Sequence, residues 1–158
     1  MLNLLKTNIS QKSTLLSTIP KYFFSANNAI EETQEKLKVG MKGQRTFNIQ
    51  EKYCTNRSGK KGDDILSSPS MILFMEIASV NAVEPKLDEE FASVGYHVDV
   101  KHFARTDLGA QVTAHAEITE IKGKKITLKV EAYEEPNQGG ERKLIGKGYH
   151  RRAVIKTD

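Results

Sequence analysis

Three residues in this chain have side chains and positions suited to acyl chemistry: Ser68, Glu76 and His102. Glu76 lies inside Met71-Ile72-Leu73-Phe74-Met75-Glu76-Ile77-Ala78-Ser79-Val80, a run that is apolar on almost every side. Such a run reads as a helix enclosed by its surroundings. A carboxylate there loses hydration and must find a partner, sit in a polar pocket, or take a raised pKa that suits acid–base work near neutrality. The alternative is a narrow solvated stripe on which it does nothing. Ser68 precedes Glu76 by eight residues, a little over two helical turns, so the two lie within about 80 degrees of one side. His102 shares its strand face with Val98 and Val100, which turns the imidazole toward the helix; its plain alternative is a satisfied core histidine. Hydroxyl, carboxylate and imidazole in one pocket are the parts for acyl transfer. Gly95 opens the strand that ends at His102, and it admits close backbone approach and an N–H for an oxyanion, or simply marks a bulge.

The elements that must position these groups follow from patterning. A connector at 31–38 leads to the turn Val39-Gly40-Met41-Lys42-Gly43 and a strand over residues 44–51. A polar loop over 56–67 contains Gly59-Lys60-Lys61-Gly62. The helix is expected to begin with Ser68 as N-cap and Pro69 as its first residue, and to end near Glu84 before Pro85. Strands are expected over 94–103, around Val112-to-Ile118 and Ile126-to-Ala132 (joined by Lys122-Gly123-Lys124), and over 143–155. Strand, apolar helix and four further strands make an α+β domain over 39–158: an antiparallel sheet wrapped around one long central helix, because only that helix can cover the sheet.

At 158 residues the chain is one domain with some length to spare. Its net charge is +4, but residues 1–30 hold Lys6, Lys12 and Lys21 and no acid; the remainder has 21 basic against 20 acidic residues. No phosphate-binding surface for nucleic acid follows from that balance. The stretch MLNLLKTNISQKSTLLSTIPKYFFSANNA is basic, hydroxyl-rich and acid-free, and reads as a mitochondrial transit peptide directing the protein to the matrix. Its apolar runs are too short to span a bilayer. The single cysteine, Cys54, excludes an internal disulfide and a cysteine-based metal cluster. No metal or cofactor motif is present, and any CoA enters as substrate.

From about Val39 to Ile155 the chain resembles the hotdog-fold acyl-CoA thioesterases, in particular the fluoroacetyl-CoA thioesterase branch. The matching stretches are Val39-Gly40-Met41-Lys42-Gly43, Ser68-Pro69-Ser70-Met71-Ile72 through Met75-Glu76, Ala82-Val83-Glu84-Pro85, Ser93-Val94-Gly95 through His102, and Ile145-Gly146 through His150-Arg151. The resemblance implies a homodimer joined edge to edge, with acyl-CoA sites at the interface. It implies catalysis by Glu76 and His102, with Ser68 at a position where that branch has threonine, and Gly95 binding the thioester oxygen. Residues 56–67 lack the phenylalanine that gates fluoroacetyl recognition in that branch, so a small or medium acyl-CoA without fluorine selectivity is expected. Lys101, Arg105, Arg151 and Arg152 are candidates for the CoA phosphates. The competing function is a non-catalytic hotdog dimer that binds acyl-CoA or serves as a structural subunit of a mitochondrial assembly. An acyl-CoA hydratase would need an Asp and His pair on a loop after the helix, which is not there.

Overall fold

The computed structural model describes residues 36–55, 59–60 and 63–157. The expected transit peptide, most of the connector and part of the 56–67 loop lie outside them. Strands β1 (Lys42–Asn48), β4 (Phe91–His102), β5 (Gln111–Lys122), β6 (Lys125–Glu134) and β7 (Lys143–Lys156) form one antiparallel sheet in the order β1-β5-β6-β7-β4. A small ribbon pairs β2 (Cys54–Thr55) with β3 (Ile65–Leu66). The helix α1 (Ser68–Val83) crosses the concave face. The architecture is the expected hotdog fold.

Alternation explains the sheet. Val112, Ala114, Ala116 and Ile118 on β5 and Ile126, Leu128, Val130 and Ala132 on β6 are all buried against α1, as period-two patterning demands. From the helix, Met71, Phe74, Met75, Ala78, Ala82 and Val83 fill the space above them. The Phe74 ring stacks on Phe47 of β1 at a centroid distance of 3.9 Å and meets Tyr53 edge-on at 4.9 Å. Two glycines let the helix approach: a Cβ on Gly43 would lie 2.3 Å from the Ala78 carbonyl oxygen, and one on Gly146 would lie 2.5 Å from the Met71 sulfur.

The helix start differs by one residue from expectation. Ser67 is the N-cap, its hydroxyl accepting from the Ser70 N–H at 3.2 Å, and Ser68 is the first helical residue. A serine at either place followed closely by proline satisfies the same local rule, so patterning alone does not separate them. The consequence is chemical, because Ser68 is released from capping. After Val83 the chain tightens into a 3-10 turn over Glu84–Lys86, since Pro85 has no N–H to continue the ladder.

The helix is also not enclosed by its own chain. Leu73 is exposed, and Glu76, Ile77 and Val80 are only partly covered. These four positions, spaced 3, 1 and 3 apart, form a second stripe along α1. One apolar stripe is covered by the sheet, and this one faces outward beside edge strand β4. There Val94, Tyr96 and Val98 are exposed as well.

Candidate functional site

Strand β4 positions half of the site through an irregularity. Its register with β7 pairs Gly95 with Arg152 and then His97 with Arg151, leaving Tyr96 without a counterpart. Gly95 and His102 are an odd number of residues apart and would face opposite sides of a regular strand. The bulge adds one residue and resets the alternation. Phe91, Ser93 and Gly95 face the helix before it, and Val98, Val100 and His102 after it.

At the start of α1 the released Ser68 hydroxyl meets His102, with Oγ 3.0 Å from Nδ1. Burial holds the His102 imidazole below its usual pKa, partly opposed by a hydrogen bond with the Ala104 backbone, so the ring stays neutral near pH 7. A neutral imidazole beside a serine hydroxyl is a proton-accepting pair.

Glu76 lies about 12 Å further along the helix axis. Its carboxylate accepts from the Arg152 guanidinium, with Nη1 3.2 Å from Oε1. A Cβ on Gly95 would lie 3.0 Å from Glu76 Oε1, so the carboxylate lies close against the strand at this glycine. The strong desolvation expected of Glu76 is not found within one chain, where its side chain is 41% exposed. It has taken the other course open to a carboxylate, a charged partner.

Arg152 corrects a second expectation. Only 3% exposed, it does not offer its guanidinium to a phosphate. Its Nε donates to Ser93 Oγ at 2.8 Å, its Nη2 to the Ser93 carbonyl at 2.6 Å and its Nη1 to Glu76. Ser93 in turn donates through both N–H and hydroxyl to Glu84 Oε1, at 2.7 and 2.6 Å. The chain Glu84–Ser93–Arg152–Glu76 thus fixes the carboxylate from the end of α1 and from two strands. Lys101 and Arg151 are exposed on the outer sheet face, and Arg105 is exposed and paired with Asp107 at 2.6 Å. Lys101 and Arg151 therefore point away from the Glu76 side of the sheet.

The expected single pocket is therefore divided within one chain. The structure brings Ser68 to His102, and Glu76 to Gly95, but no hydrogen bond or ion pair joins Glu76 to His102 among the described residues. Along β4, Gly95 and His102 stand about 23 Å apart at the usual rise. Two residues beyond the sequence reading complete the Glu76 end: Arg152 in its positioning role, and His150, 2% exposed, whose Nε2 would lie 2.7 Å from a Cβ on Gly95. Their signal was present in the alternation of β7, which turns His150, Arg152 and Val154 inward together. Cys54 has no such company. Burial first, then Asp64 and Glu51, push its thiol pKa up, which keeps it protonated and unreactive. No cluster of His, Cys, Asp or Glu fit for a metal occurs among the described residues, and no described helix is long and apolar enough to cross a membrane.

The profile of the fluoroacetyl-CoA-specific thioesterases matches residues 49–158. The chain belongs to that family. A fluoroacetyl-CoA thioesterase of Streptantibioticus cattleyicolor is 33% identical over 95 residues, a match covering 60% of this chain and 64% of that protein. Among solved structures, a threonine-to-serine mutant of a fluoroacetyl-CoA thioesterase in complex with acetyl-CoA superposes with a TM-score of 0.65 at 27% identity, over 76% of this chain and 90% of that one. A hot-dog-like protein of Thermanaerovibrio acidaminovorans gives a TM-score of 0.68 at 22% identity, over 78% and 87% of the two chains, and supports the fold.

Proposed function

We propose that this family member hydrolyses small or medium acyl-CoA thioesters, and that it does so as a homodimer in which each active site takes residues from both subunits. The observation that carries the hydrolase reading is the Glu76 carboxylate lying against the Gly95 backbone, a base beside a backbone donor. In the reaction a water oxygen bonds to the thioester carbonyl carbon while Glu76 takes the water's proton. In the covalent variant Glu76 bonds to that carbon first and water then hydrolyses the resulting anhydride, giving the acid and the proton for the thiol. The Gly95 N–H stabilises the developing oxyanion. The carbon–sulfur bond then breaks, and the proton ends on the CoA sulfur. The Ser68–His102 pair holds a hydroxyl ready to orient the reacting groups and assist the transfer.

The dimer is supported by what one chain leaves unfinished. β4 is a sheet edge, and an exposed apolar edge is a template for pairing. Two such strands pairing antiparallel about an axis near Val98 and Asp99 bring Gly95 of one chain opposite His102 of the partner subunit. The same axis covers the outward stripe of Leu73, Ile77 and Val80. Two divided half-sites then become two complete ones, as a two-fold interface requires.

The relative crystallised with acetyl-CoA carries serine in place of threonine, so the Ser68 hydroxyl is compatible with acyl-CoA binding in this family. The absence of a phenylalanine from residues 56–67 is the reason fluoroacetyl selectivity is not carried over to this chain. Residues 1–30 would deliver the enzyme to the mitochondrial matrix.

The test is thiol release from acyl-CoAs ranging from acetyl to palmitoyl, using protein lacking the first 30 residues, alongside Glu76→Gln. Turnover with a chain-length optimum that the substitution abolishes is expected. A folded dimer that releases CoA from none of them would instead favour the binding or scaffolding role.

A further inference from the structure

Among the described residues, His150 is buried with both ring nitrogens unpaired. It sits on β7 between Val98 of β4 and Leu128 of β6, facing α1, and is 2% exposed. Neither ring nitrogen has a hydrogen-bond partner among the described residues. Buried polar atoms are nearly always paired, and exceptions concentrate where a ligand or a catalytic task supplies the partner. Packing alone does not account for an imidazole here, because Leu or Met would fill similar space without two unpaired nitrogens.

The ring's direction is informative. A Cβ on Gly95 would meet His150 Nε2 at 2.7 Å and Glu76 Oε1 at 3.0 Å. Both atoms thus border one point and stand no more than about 6 Å apart, the reach of a single bridging oxygen. Burial, and after it the Arg152 charge, lower the His150 pKa against a smaller opposing pull from Glu76. The ring is therefore neutral and carries one N–H.

We propose that His150 is a positioning residue for the hydrolytic water, its Nε2–H donating to a water that in turn donates to Glu76. The chemistry selects water over the substrate's carbonyl oxygen. An oxygen between an N–H and a carboxylate must accept from one and donate to the other, and a carbonyl oxygen has no proton to donate. Arg152 holds Glu76 from one side, and His150 aligns the water on the other. In the chemical step that water's oxygen bonds to the carbonyl carbon, its proton passes to Glu76, and the CoA sulfur leaves with the bonding pair and collects the proton. His150 gains and loses nothing. This inference rests on the hydrolase reading.

The test compares His150→Leu and His150→Gln in the intact dimer, reading kcat and KM separately together with thermal stability. His150→Leu should keep KM, match or exceed the wild-type Tm and lose about tenfold or more in kcat. Glutamine carries an amide N–H to the same depth and should recover a substantial part of that loss. Should His150→Leu keep the wild-type kcat, the residue is packing and the inference is overturned. If both variants unfold, 15N spectra of the imidazole decide, recorded for the wild type and Glu76→Gln. An Nε2–H signal of His150 that moves on Glu76→Gln supports the link, and one that does not refutes it. A wild type that hydrolyses no acyl-CoA defeats the hydrolase reading alone, and the same spectra still decide whether His150 and Glu76 are joined.

Discussion

Mixing two inactive variants discriminates sharply between a site held in one chain and a site shared by two. The perturbation is Glu76→Gln in one population and His102→Ala in the other. Ser68 and His102 are hydrogen-bonded at 3.0 Å, whereas Glu76 borders Gly95 midway along α1 and toward the start of β4. In a homodimer of either variant both sites carry a lesion, and each should lose about 100- to 10,000-fold in kcat, the range for removing an acid–base group. In a mixed dimer the two lesions fall in the same site, and the other site takes Glu76 from one chain and His102 from its partner, both native. Random mixing makes half the dimers mixed, each with one intact site of two, so the mixture should regain about a quarter of wild-type activity. Purified mixed dimers, selected through two different affinity tags on co-expressed chains, should regain about half. The assay is initial-rate thiol release at saturating acyl-CoA, with circular dichroism confirming that the mixed dimer is folded. A folded mixed dimer as inactive as its parents would show that Glu76 and His102 act within one chain, and the shared-site geometry would be abandoned.

Two further outcomes follow from the same geometry. Gly95→Ala forces a methyl to within 2.7 Å of His150 Nε2 and 3.0 Å of Glu76 Oε1, and the buried imidazole has little room to yield. The substitution should cost about 1–3 kcal/mol of stability in urea titrations and depress kcat more than KM, whereas an unchanged kcat would remove Gly95 from the site. The pKa values of His102, His115 and His150 are all lowered, chiefly by burial, so the folded protein binds fewer protons than the unfolded chain. That stability is present above the unfolded histidine value of about 6.5 and is lost as pH falls toward the depressed folded values, by up to about 1.4 kcal/mol per pH unit for each group while it titrates. Urea midpoints at fixed protein concentration should therefore drop between pH 7.5 and 5. The acid limb of kcat should fall as protonated His102 ceases to accept from Ser68. A flat urea midpoint over that range would contradict the burial argument.

Much of the architecture is legible in the linear chain because it depends on short-range periodicity. Val112-to-Ile118 and Ile126-to-Ala132 alternate without interruption, and their buried faces follow directly. The apolar run from Met71 onward marks the helix, and Pro85 marks its end. Residue identity also singles out Glu76, His102 and Ser68, since a carboxylate in an apolar run and a histidine on an apolar face are conspicuous anywhere.

Tertiary structure decided how those groups combine. Ser67 rather than Ser68 caps the helix, a one-residue choice set by how the preceding chain enters, and it releases the hydroxyl that meets His102. The bulge at Tyr96 is a property of pairing between two strands; without it Gly95 and His102 would face opposite sides. The ion pair of Glu76 with Arg152 joins residues 76 positions apart, and no local pattern connects them. The all-round apolar character of α1 implies enclosure by one domain, yet the sheet covers only one stripe and leaves Leu73 beside Glu76 outward. Composition records that a surface wants burial, and the fold alone determines which surface its own chain can reach.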